Sequence, residues 1–299
     1  MDQRPTTKQS PTFTDYAWLL GLALMFGSSF TFTSIAVREI PPITLAALRV
    51  TMALVILFLV MKLYGQRLPM GKRVWGYVFA SAFFGNVLPF SLIGWGQIKV
   101  EAGLAAIFMA IMPLVTIMLA QFFTHDERLN RYKVLGVALG LIGVMVLIGI
   151  DALGAIGDET LRQLAIVLAA TCYAVNAIIT KELVGHPRKS VMAALMLAAV
   201  ILFVPLVLIE QPWAMRPSQA ANLSLLVLAI GPTALGTLMI LVIIDRQGAS
   251  FFGQINFLIP VIGVFFGVVF LGERLSANAW LALALILIGV ALSRRGNQR

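Results

Sequence analysis

The chain has 299 residues, of which 60% are hydrophobic and only 12% are charged, and it carries a formal net charge of +9. An average soluble domain carries roughly 25% charged residues, so this composition cannot build a water-facing surface, and its apolar content excludes a disordered chain. So few charges cannot spread a basic face over a globule, which excludes a nucleic-acid-binding module, and the single cysteine, Cys172, excludes a disulfide framework or a cysteine-rich metal site. The chain is therefore predicted to be an integral membrane protein, embedded in a lipid bilayer.

Apolar stretches long enough to cross a bilayer recur along the whole chain. A hydrocarbon core of about 30 Å needs about 20 helical residues. The stretches are continuous and lack the two-residue alternation of a membrane strand, so helices are expected. The ten predicted spans are residues 17–36, 43–61, 75–96, 102–123, 134–150, 163–180, 191–209, 223–244, 249–271 and 277–292. They leave only short loops and no room for a soluble domain.

The positions of Lys and Arg predict the orientation of the spans, because basic loops resist translocation. Residues 1–15 are polar and contain Pro5 and Pro11, so they do not form a signal peptide and the first span is expected to be retained. With a cytoplasmic N-terminus, the cytoplasmic segments hold 16 Lys and Arg residues and the opposite side holds 5. Both termini are therefore predicted to be cytoplasmic.

The tripeptide Glu-Arg-Leu opens two matching stretches. Aligning residues 127–147 with residues 273–293, at an offset of 146, gives ten identities in 21 positions. Upstream, an offset of 147 aligns Pro113 with Pro260. The repeat is five helices long, and because five is odd the matching helices must cross the membrane in opposite directions. We therefore predict an all-α integral membrane protein of ten transmembrane helices, built as two five-helix repeats of inverted topology, residues 1–150 and 151–299.

These motifs resemble those of a known family. The pattern resembles the motifs of the drug/metabolite transporter superfamily. The matching residues are Gly27-Ser28-Ser29-Phe30, Ala47-Leu48-Arg49, and the two stretches that run through the aligned prolines to Glu-Arg-Leu. The resemblance is to its ten-helix EamA-type members, including amino-acid exporters of the YddG type, and it covers nearly the whole chain. Phe26 departs from the pattern, since many relatives have Trp there. The resemblance implies secondary transport of small metabolites, often amino-acid export, without a cofactor, in the inner (plasma) membrane of a bacterium.

Glycine and proline interrupt corresponding helices in the two repeats. The third span contains Gly85 and Pro89, and the eighth contains Pro232 and Gly236 at the aligned positions. The fourth and ninth spans each carry one of the aligned prolines. Carriers with inverted repeats tend to bind substrate near the midplane, where interrupted helices meet. These four helices are therefore expected to wall a cavity.

Polar and aromatic side chains within the spans are the candidate substrate contacts. A buried polar group without a partner is costly in lipid, so each is expected to face the cavity, another helix or its own backbone. Arg49, the only charge deep in a span, is expected to attract a substrate carboxylate, to extend its head outward to the membrane surface, or to pair with Glu39 or Glu101. The predicted substrate-binding residues are Ser28, Phe30, Thr31, Arg49, Phe83, Asn86, Trp95, Met109, Tyr173, Asn176, Thr237, Gln254, Asn256 and Phe257. Such a lining suits amino acids with apolar or aromatic side chains.

Acidic residues and histidine are missing from the middle of every span. This excludes the usual relay of a proton antiporter and the membrane carboxylate that binds cationic drugs. Facilitated exchange is the simpler expectation, and coupling through a carboxylate at the rim, such as Glu101, stays open. One buried Arg does not match a phosphate ester with two or more charges, which disfavours nucleotide-sugar substrates.

Other classes of protein are weighed against a carrier of amino acids. A carrier of other small drugs or metabolites, a lipid flippase and a channel are alternatives. A membrane enzyme is disfavoured because His125 and His186 lie in separate loops and no catalytic or metal-ligand cluster appears at one depth. We expect no catalytic residue and no metal. Gly136, Gly140 and Gly143 predict a close-packing helix face, and a homodimer through this face stays open.

Overall fold

The computed structural model describes residues 10–123, 130–149 and 157–295, and the regular elements in these ranges are all helical. Within them, nine helical segments are long and apolar enough to cross a membrane, and a further apolar helix, Ile255–Leu271, has 17 residues. The all-α fold with ten spans is confirmed. The spans are α1 Phe13–Ala36, α2 Pro42–Leu63, α3 Lys72–Gly96, α4 Ala102–Met109 with Met112–Phe123, α5 Arg131–Ile148, α6 Asp158–Leu183, α7 Arg188–Glu210, α8 Gln219–Gln247, α9 Ala249–Phe252 with Ile255–Leu271, and α10 Ala277–Arg295.

Several helices extend beyond the predicted spans by polar turns. Helix α6 begins at Asp158, five residues before the predicted start, and Asp158 and Glu159 lie in its first turn. Carboxylates are favourable there because they complement the positive end of the helix dipole. Helix α8 continues to Gln247, with Arg246 in its last turn. A hydropathy pattern stops where such residues begin, although the backbone remains helical.

The fifth helices of the two repeats pack closely and run in opposite directions. The α-carbon of Gly136 faces Gly289 and Ser293, whereas Gly143, two turns later, faces Ile286 and the Ala282 carbonyl. An added Cβ at Gly289 would come within 2.5 Å of the Gly136 carbonyl oxygen. Small residues allow membrane helices to approach this closely. The predicted close-packing face is confirmed: Gly136 and Gly143 pack on α10 of the same chain, and Gly140 packs on Leu114 of α4.

Two more pairs of equivalent helices are also antiparallel neighbours. In the α2·α7 pair, Thr44 at the start of α2 bonds Glu210 at the end of α7, and Ser190 at the start of α7 bonds Gln66 beyond the end of α2. The α4·α9 pair is antiparallel as well. The backbone N–H of Ala102, the first residue of α4, donates to the carboxylate of Glu273, which lies just beyond the end of α9. Equivalent helices that lie side by side in opposite directions show the inverted topology directly.

Packing between the repeats follows the same two-fold relation. Each contact has an equivalent in which the roles of the repeats are exchanged. The packing of α1 on α9 is matched by that of α6 on α4, and the packing of α1 on α8 is matched by that of α6 on α3. In the same way, α2 packs on α8 and α7 packs on α3. Within the described ranges, α1 and α6 make no extended contact with each other, and neither do α3 and α8. Each of these four helices therefore packs on helices of the other repeat and not on its own equivalent.

The third helix of each repeat is wound more loosely at the interruption that the sequence predicts. Helix α3 has a π-helical segment at Phe83–Val87, and α8 has one at Ala229–Leu235. Pro232 lies within the second segment and lacks the N–H that would bond the Leu228 carbonyl in a regular helix. The Thr233 hydroxyl donates to that carbonyl instead, at 2.7 Å. π-Helical turns of this kind are frequent at functional sites.

The breaks in α4 and α9 are not equivalent, contrary to the expectation from the aligned prolines. Helix α4 is interrupted at Ala110 and Ile111, just before Pro113, whereas α9 is interrupted at Gly253 and Gln254 and then continues through Pro260. Proline can be accommodated within a helix when neighbouring groups satisfy the freed carbonyl. The two repeats therefore differ in conformation at this pair of helices.

Candidate functional site

The Arg49 side chain lies in the interior of the bundle, roughly 10 Å along the axis of α2 from Pro42. Its Nε atom donates a hydrogen bond to the Thr233 hydroxyl, at 2.5 Å. The guanidinium lies over the Phe90 ring, 4.1 Å from the ring centroid. It is also close enough to Tyr173 for an electrostatic interaction. We call Arg49, Phe90, Tyr173 and Thr233 the arginine cluster; its members come from α2, α3, α6 and α8.

The Thr233 hydroxyl has a fixed orientation. Its single proton is donated to the Leu228 carbonyl, so it can only accept from Arg49. The π-helical segment of α8 thus places an acceptor at the depth of the arginine. Thr237, one turn later, donates its hydroxyl to the Thr233 carbonyl.

Arg49 does not pair with either of the carboxylates proposed from the sequence. Glu39 accepts hydrogen bonds from the backbone N–H and the hydroxyl of Ser218, at 2.6 and 2.8 Å. In the part of the chain that the structure describes, no carboxylate lies within 4.0 Å of the Arg49 guanidinium. The prediction of an ion pair with Glu39 or Glu101 is therefore wrong. Glu39 is bound to Ser218 at the start of α8, and Glu101 lies in the loop directly before α4.

Asn176 and Asn86 extend the polar surface next to the arginine cluster. Asn176 lies three residues after Tyr173 on α6, and its Oδ1 atom accepts the Ser81 hydroxyl at 2.6 Å. Its side chain lies against Gly85, where an added Cβ would come within 2.5 Å of the amide nitrogen. Asn86 is buried in the π-helical segment of α3, one turn before Phe90. The contact between α3 and α6 at midplane depth is therefore polar.

A separate cavity of about 560 Å³ opens on the side of the membrane where α1 begins and α10 ends, which we call the terminus side. Gln254 and Phe257 line it together, and the guanidinium of Arg294 lies over the Phe257 ring at 4.9 Å. Asn256 donates its side-chain amide to the Gly253 carbonyl at the break in α9. These predicted residues therefore lie at an entrance and not in the arginine cluster. The full lining is Tyr16, Leu19, Leu20, Gln254, Phe257, Leu258 and Arg294.

The remaining predicted residues fall outside the arginine cluster. The Ser28 hydroxyl bonds the Met25 carbonyl of its own helix, as expected for a serine that bonds one turn back. Trp95 lies at the end of α3, with the Arg162 guanidinium 4.6 Å above its ring, so it belongs to a rim. Phe30 and Thr31 are buried in α1, Phe83 is partly exposed beside Phe84, and Met109 ends the first part of α4.

Another cavity, of about 400 Å³, opens on the opposite side, which we call the distal side. It lies between the end of α1, the loop before α4 and the loop after α9. The buried Gln97 side chain joins α3 to α1 here by donating to the Phe30 carbonyl at 2.9 Å. Polar residues dominate the lining, which consists of Ser34, Arg38, Gln97, Ile98, Lys99, Val100, Glu101, Leu271, Gly272, Glu273 and Arg274.

Two distal carboxylates are predicted to affect stability with opposite signs. Hydrogen bonds from Ser218 hold the pKa of Glu39 below its usual value of 4.5. Burial, together with the charges of Glu273 and Glu159, raises the pKa of Glu101 above 4.5. A carboxylate with a lowered pKa stabilises the fold above its unfolded pKa, and one with a raised pKa destabilises it there. At pH 7, Glu39→Gln should lower the melting temperature and Glu101→Gln should raise it.

Thermal unfolding in detergent at a series of pH values measures both effects. The Glu39→Gln difference should fade as the pH falls below 4.5, the usual pKa of a glutamate, whereas the Glu101→Gln difference should fade as the pH falls towards 4.5 from above. Shifts of the same sign in the two variants would contradict the assignment.

The two ends of the bundle are closed to different degrees. On the distal side, α1 packs on the first part of α4, and both carboxylate oxygens of Glu273 accept backbone N–H groups of α4, from Ala102 at 2.6 Å and Gly103 at 2.8 Å. The symmetry-related helices on the terminus side are α6 and α9, and among the described residues they do not pack comparably. Glu127-Arg128-Leu129, the first copy of the repeated tripeptide, lies outside the described residues. The described part of the bundle is more closed on its distal side.

Sequence reasoning missed three contacts of the site. Phe90, Ser81 and Thr233 were not among the predicted residues. A signal was available for Thr233, because the repeat offset of 147 pairs it with Asn86. Phe90 lies one helical turn beyond Asn86 and shares its face. Ser81 resembled the many serines that bond their own backbone, and only the structure shows its bond to another helix.

Comparison with known families assigns the chain. A family model described as "EamA-like transporter family" matches residues 14–149 and 161–295, once for each repeat. The chain belongs to the EamA-like transporter family. Membership indicates an integral membrane transporter. Among the described residues, no group of three or more His, Cys, Asp or Glu is arranged to hold a metal ion.

Relatives of similar length cover nearly the whole chain. The "Uncharacterized transporter YoaV" of Bacillus subtilis (strain 168) is 23% identical over 92% of this chain and 94% of its own length. A "Probable amino-acid metabolite efflux pump" of Escherichia coli (strain K12) is 27% identical over 91% and 92%. The "Uncharacterized inner membrane transporter YedA" of the same strain is 24% identical over 93% and 90%.

A solved structure, described as "Crystal structure of protein", has the same fold. It matches with a TM-score of 0.69 at 22% sequence identity, over 95% of this EamA-family chain and 99% of its own chain. At this identity the likeness concerns the fold alone.

Proposed function

We propose that this EamA-family protein exports small metabolites, chiefly amino acids with apolar or aromatic side chains, by alternating access around the arginine cluster. The observation that carries the proposal is the meeting of polar and aromatic side chains from four helices at midplane depth, next to the two matched π-helical segments. Inverted-repeat carriers place their substrate sites at such a position. The Escherichia coli relative named as an amino-acid metabolite efflux pump supports this substrate class.

The difference between the two ends of the bundle supports alternating access. In an inverted-repeat carrier, the two halves exchange conformations when the open side changes. Here α4 breaks beside its proline and packs on α1, whereas α9 is continuous through its proline. We infer that the described arrangement is the state closed on the distal side, and that the opposite state is reached when α9 adopts the break of α4.

The charge distribution sets the orientation of the protein in the membrane in this proposal. Both termini are placed in the cytoplasm, where most Lys and Arg residues then lie. The terminus-side cavity, with Gln254 and Phe257 in its wall, then receives substrate from the cytoplasm. Release follows on the distal side, and the net flux is export when the solute is more concentrated in the cytoplasm.

Counterflow in proteoliposomes tests this function. Vesicles preloaded with unlabelled L-phenylalanine should accumulate external labelled L-phenylalanine transiently, faster than protein-free vesicles do. A matched panel with labelled L-leucine, L-lysine and a dye-labelled phospholipid separates the substrate classes. Exchange of phospholipid alone identifies a flippase, flux far above carrier turnover identifies a channel, and the absence of flux with every neutral or zwitterionic solute contradicts the proposal.

A further inference from the structure

The Arg49 guanidinium has unused hydrogen-bond donors in the middle of the bundle. Its Nε atom is bound to Thr233 and one face is covered by Phe90, but its two terminal nitrogens bond no acceptor among the described residues. Those nitrogens carry four of its five N–H donors. An arginine at membrane depth is costly unless it is paired or faces water. The unused edge therefore requires an acceptor that the described residues do not supply.

The contacts that Arg49 does make fix the orientation of this edge. The bond from Nε to Thr233 holds one side of the planar group, and the Phe90 ring at 4.1 Å holds its plane. The opposite side presents the two terminal nitrogens as a fork. A guanidinium fork matches the two oxygens of one carboxylate and binds them with two parallel hydrogen bonds. A single positive charge also matches a single carboxylate in charge.

The surroundings of Arg49 distinguish the two ends of a zwitterionic solute. No Asp or Glu lies mid-span, so nothing negative is available to bind an ammonium group at this depth. Asn176, three residues beyond Tyr173 on α6, offers a neutral amide instead. The carboxylate end of a solute would therefore supply most of the electrostatic recognition. The aromatic rings of Phe90 and Tyr173 would contact apolar groups next to it.

We propose that Arg49 binds the substrate carboxylate, so that the protein selects small solutes with one carboxylate beside an apolar or aromatic group and rejects the corresponding amides and decarboxylated amines. This inference rests on the proposed transport function. It assigns Thr233 and Phe90 as positioning residues that hold the guanidinium plane. The ammonium group of an amino acid contributes little in this site.

Competition against L-phenylalanine counterflow tests the inference. In the wild type, 3-phenylpropionate should compete, whereas L-phenylalaninamide and 2-phenylethylamine should compete at least about 10-fold more weakly, since hydrogen bonds to charged groups are strong. Arg49→Gln should weaken the apparent affinity for L-phenylalanine by about 10- to 100-fold and abolish the preference over the amide. Arg49→Lys keeps the charge but loses the fork, so its apparent affinity for L-phenylalanine should lie between those of the wild type and Arg49→Gln.

Two controls separate binding from folding. Arg216→Gln removes an exposed arginine in the loop between α7 and α8 and should behave as the wild type. Without solute, Arg49→Gln should melt at or above the wild-type temperature, because an interior charge with no carboxylate partner among the described residues is removed. A lower melting temperature with unchanged selectivity would make Arg49 a structural residue and overturn the inference. No phenylalanine flux in the wild type would instead contradict the proposed function itself, before any variant is compared.

Discussion

Replacing Gly136 with alanine is expected to destabilise the protein by about 3 kcal/mol, the upper end of the usual range for overpacking. The added methyl group would overlap the Gly289 carbonyl and the Ser293 hydroxyl of α10. A carbonyl oxygen within the opposite helix cannot move without moving that helix. The α5·α10 pair would have to separate, and close packing of small residues is what holds membrane helices together. The expected result is a melting temperature far below that of the wild type and a low yield of folded protein.

Gly76→Ala is the matched control for this substitution. Gly76 lies in α3, and no heavy atom lies within 4 Å of the position of an added Cβ. The same change of residue in an open helical position should be neutral or slightly stabilising, because alanine favours helix more than glycine does. Fluorescence-detected size exclusion after heating measures both variants. Equal melting temperatures for the two would show that the α5·α10 contact is not tight.

Glu273→Ala is expected to shift the protein towards a state that is open on the distal side. Both carboxylate oxygens of Glu273 bond N–H groups in the first turn of α4. Hydrogen bonds to a charged group contribute about 1.5–3 kcal/mol. Loss of the lower value alone would raise the population of an open state by about 10-fold, since 1.4 kcal/mol corresponds to a factor of ten.

Cysteine labelling measures this shift, because the single native cysteine, Cys172, is buried. Ser34 lines the distal cavity and is only 7% exposed, so Ser34→Cys should react slowly with a membrane-impermeant maleimide. Adding Glu273→Ala should accelerate the reaction by about 10-fold, whereas adding Glu159→Ala, an exposed glutamate on the same side, should not. If the maleimide reaction is no faster in folded Glu273→Ala protein, Glu273 only caps the start of α4 and does not hold the distal side closed.

Hydropathy and the internal repeat were sufficient to predict the fold. The Glu-Arg-Leu motif and the odd number of helices in the repeat predicted antiparallel equivalents, and the contacts of Thr44 with Glu210 and of Gly136 with Gly289 confirm them. The conformations of α4 and α9 could not be predicted in this way. Pro113 and Pro260 align, but a proline interrupts a helix only where its neighbours allow it, and those neighbours differ between the repeats.

The sequence singles out Arg49 as a candidate, but it does not predict the contacts that Arg49 makes in the structure. A single charged residue within an apolar span is visible from composition alone, and this is the signal that identifies Arg49. Its contact with Thr233 depends on a π-helical turn that rotates the hydroxyl towards α2, and residue spacing in a regular helix does not predict that rotation. Gln254 and Phe257 were placed in the same cavity as Arg49 because a sequence gives membrane depth poorly at a helix break.

The reciprocal bonds between α2 and α7 also bear on how the protein is assembled during synthesis. The first turn of α2 is completed by Glu210, which follows Thr44 by 166 residues. At roughly 5–20 residues per second, a ribosome needs on the order of ten seconds or more to add that glutamate. During this interval the amino end of α2 can be hydrated only near the membrane surface. The early helices are therefore inserted before their final packing can form, and that packing is completed only after α7 has been synthesised. The two repeats are expected to reach their native packing together.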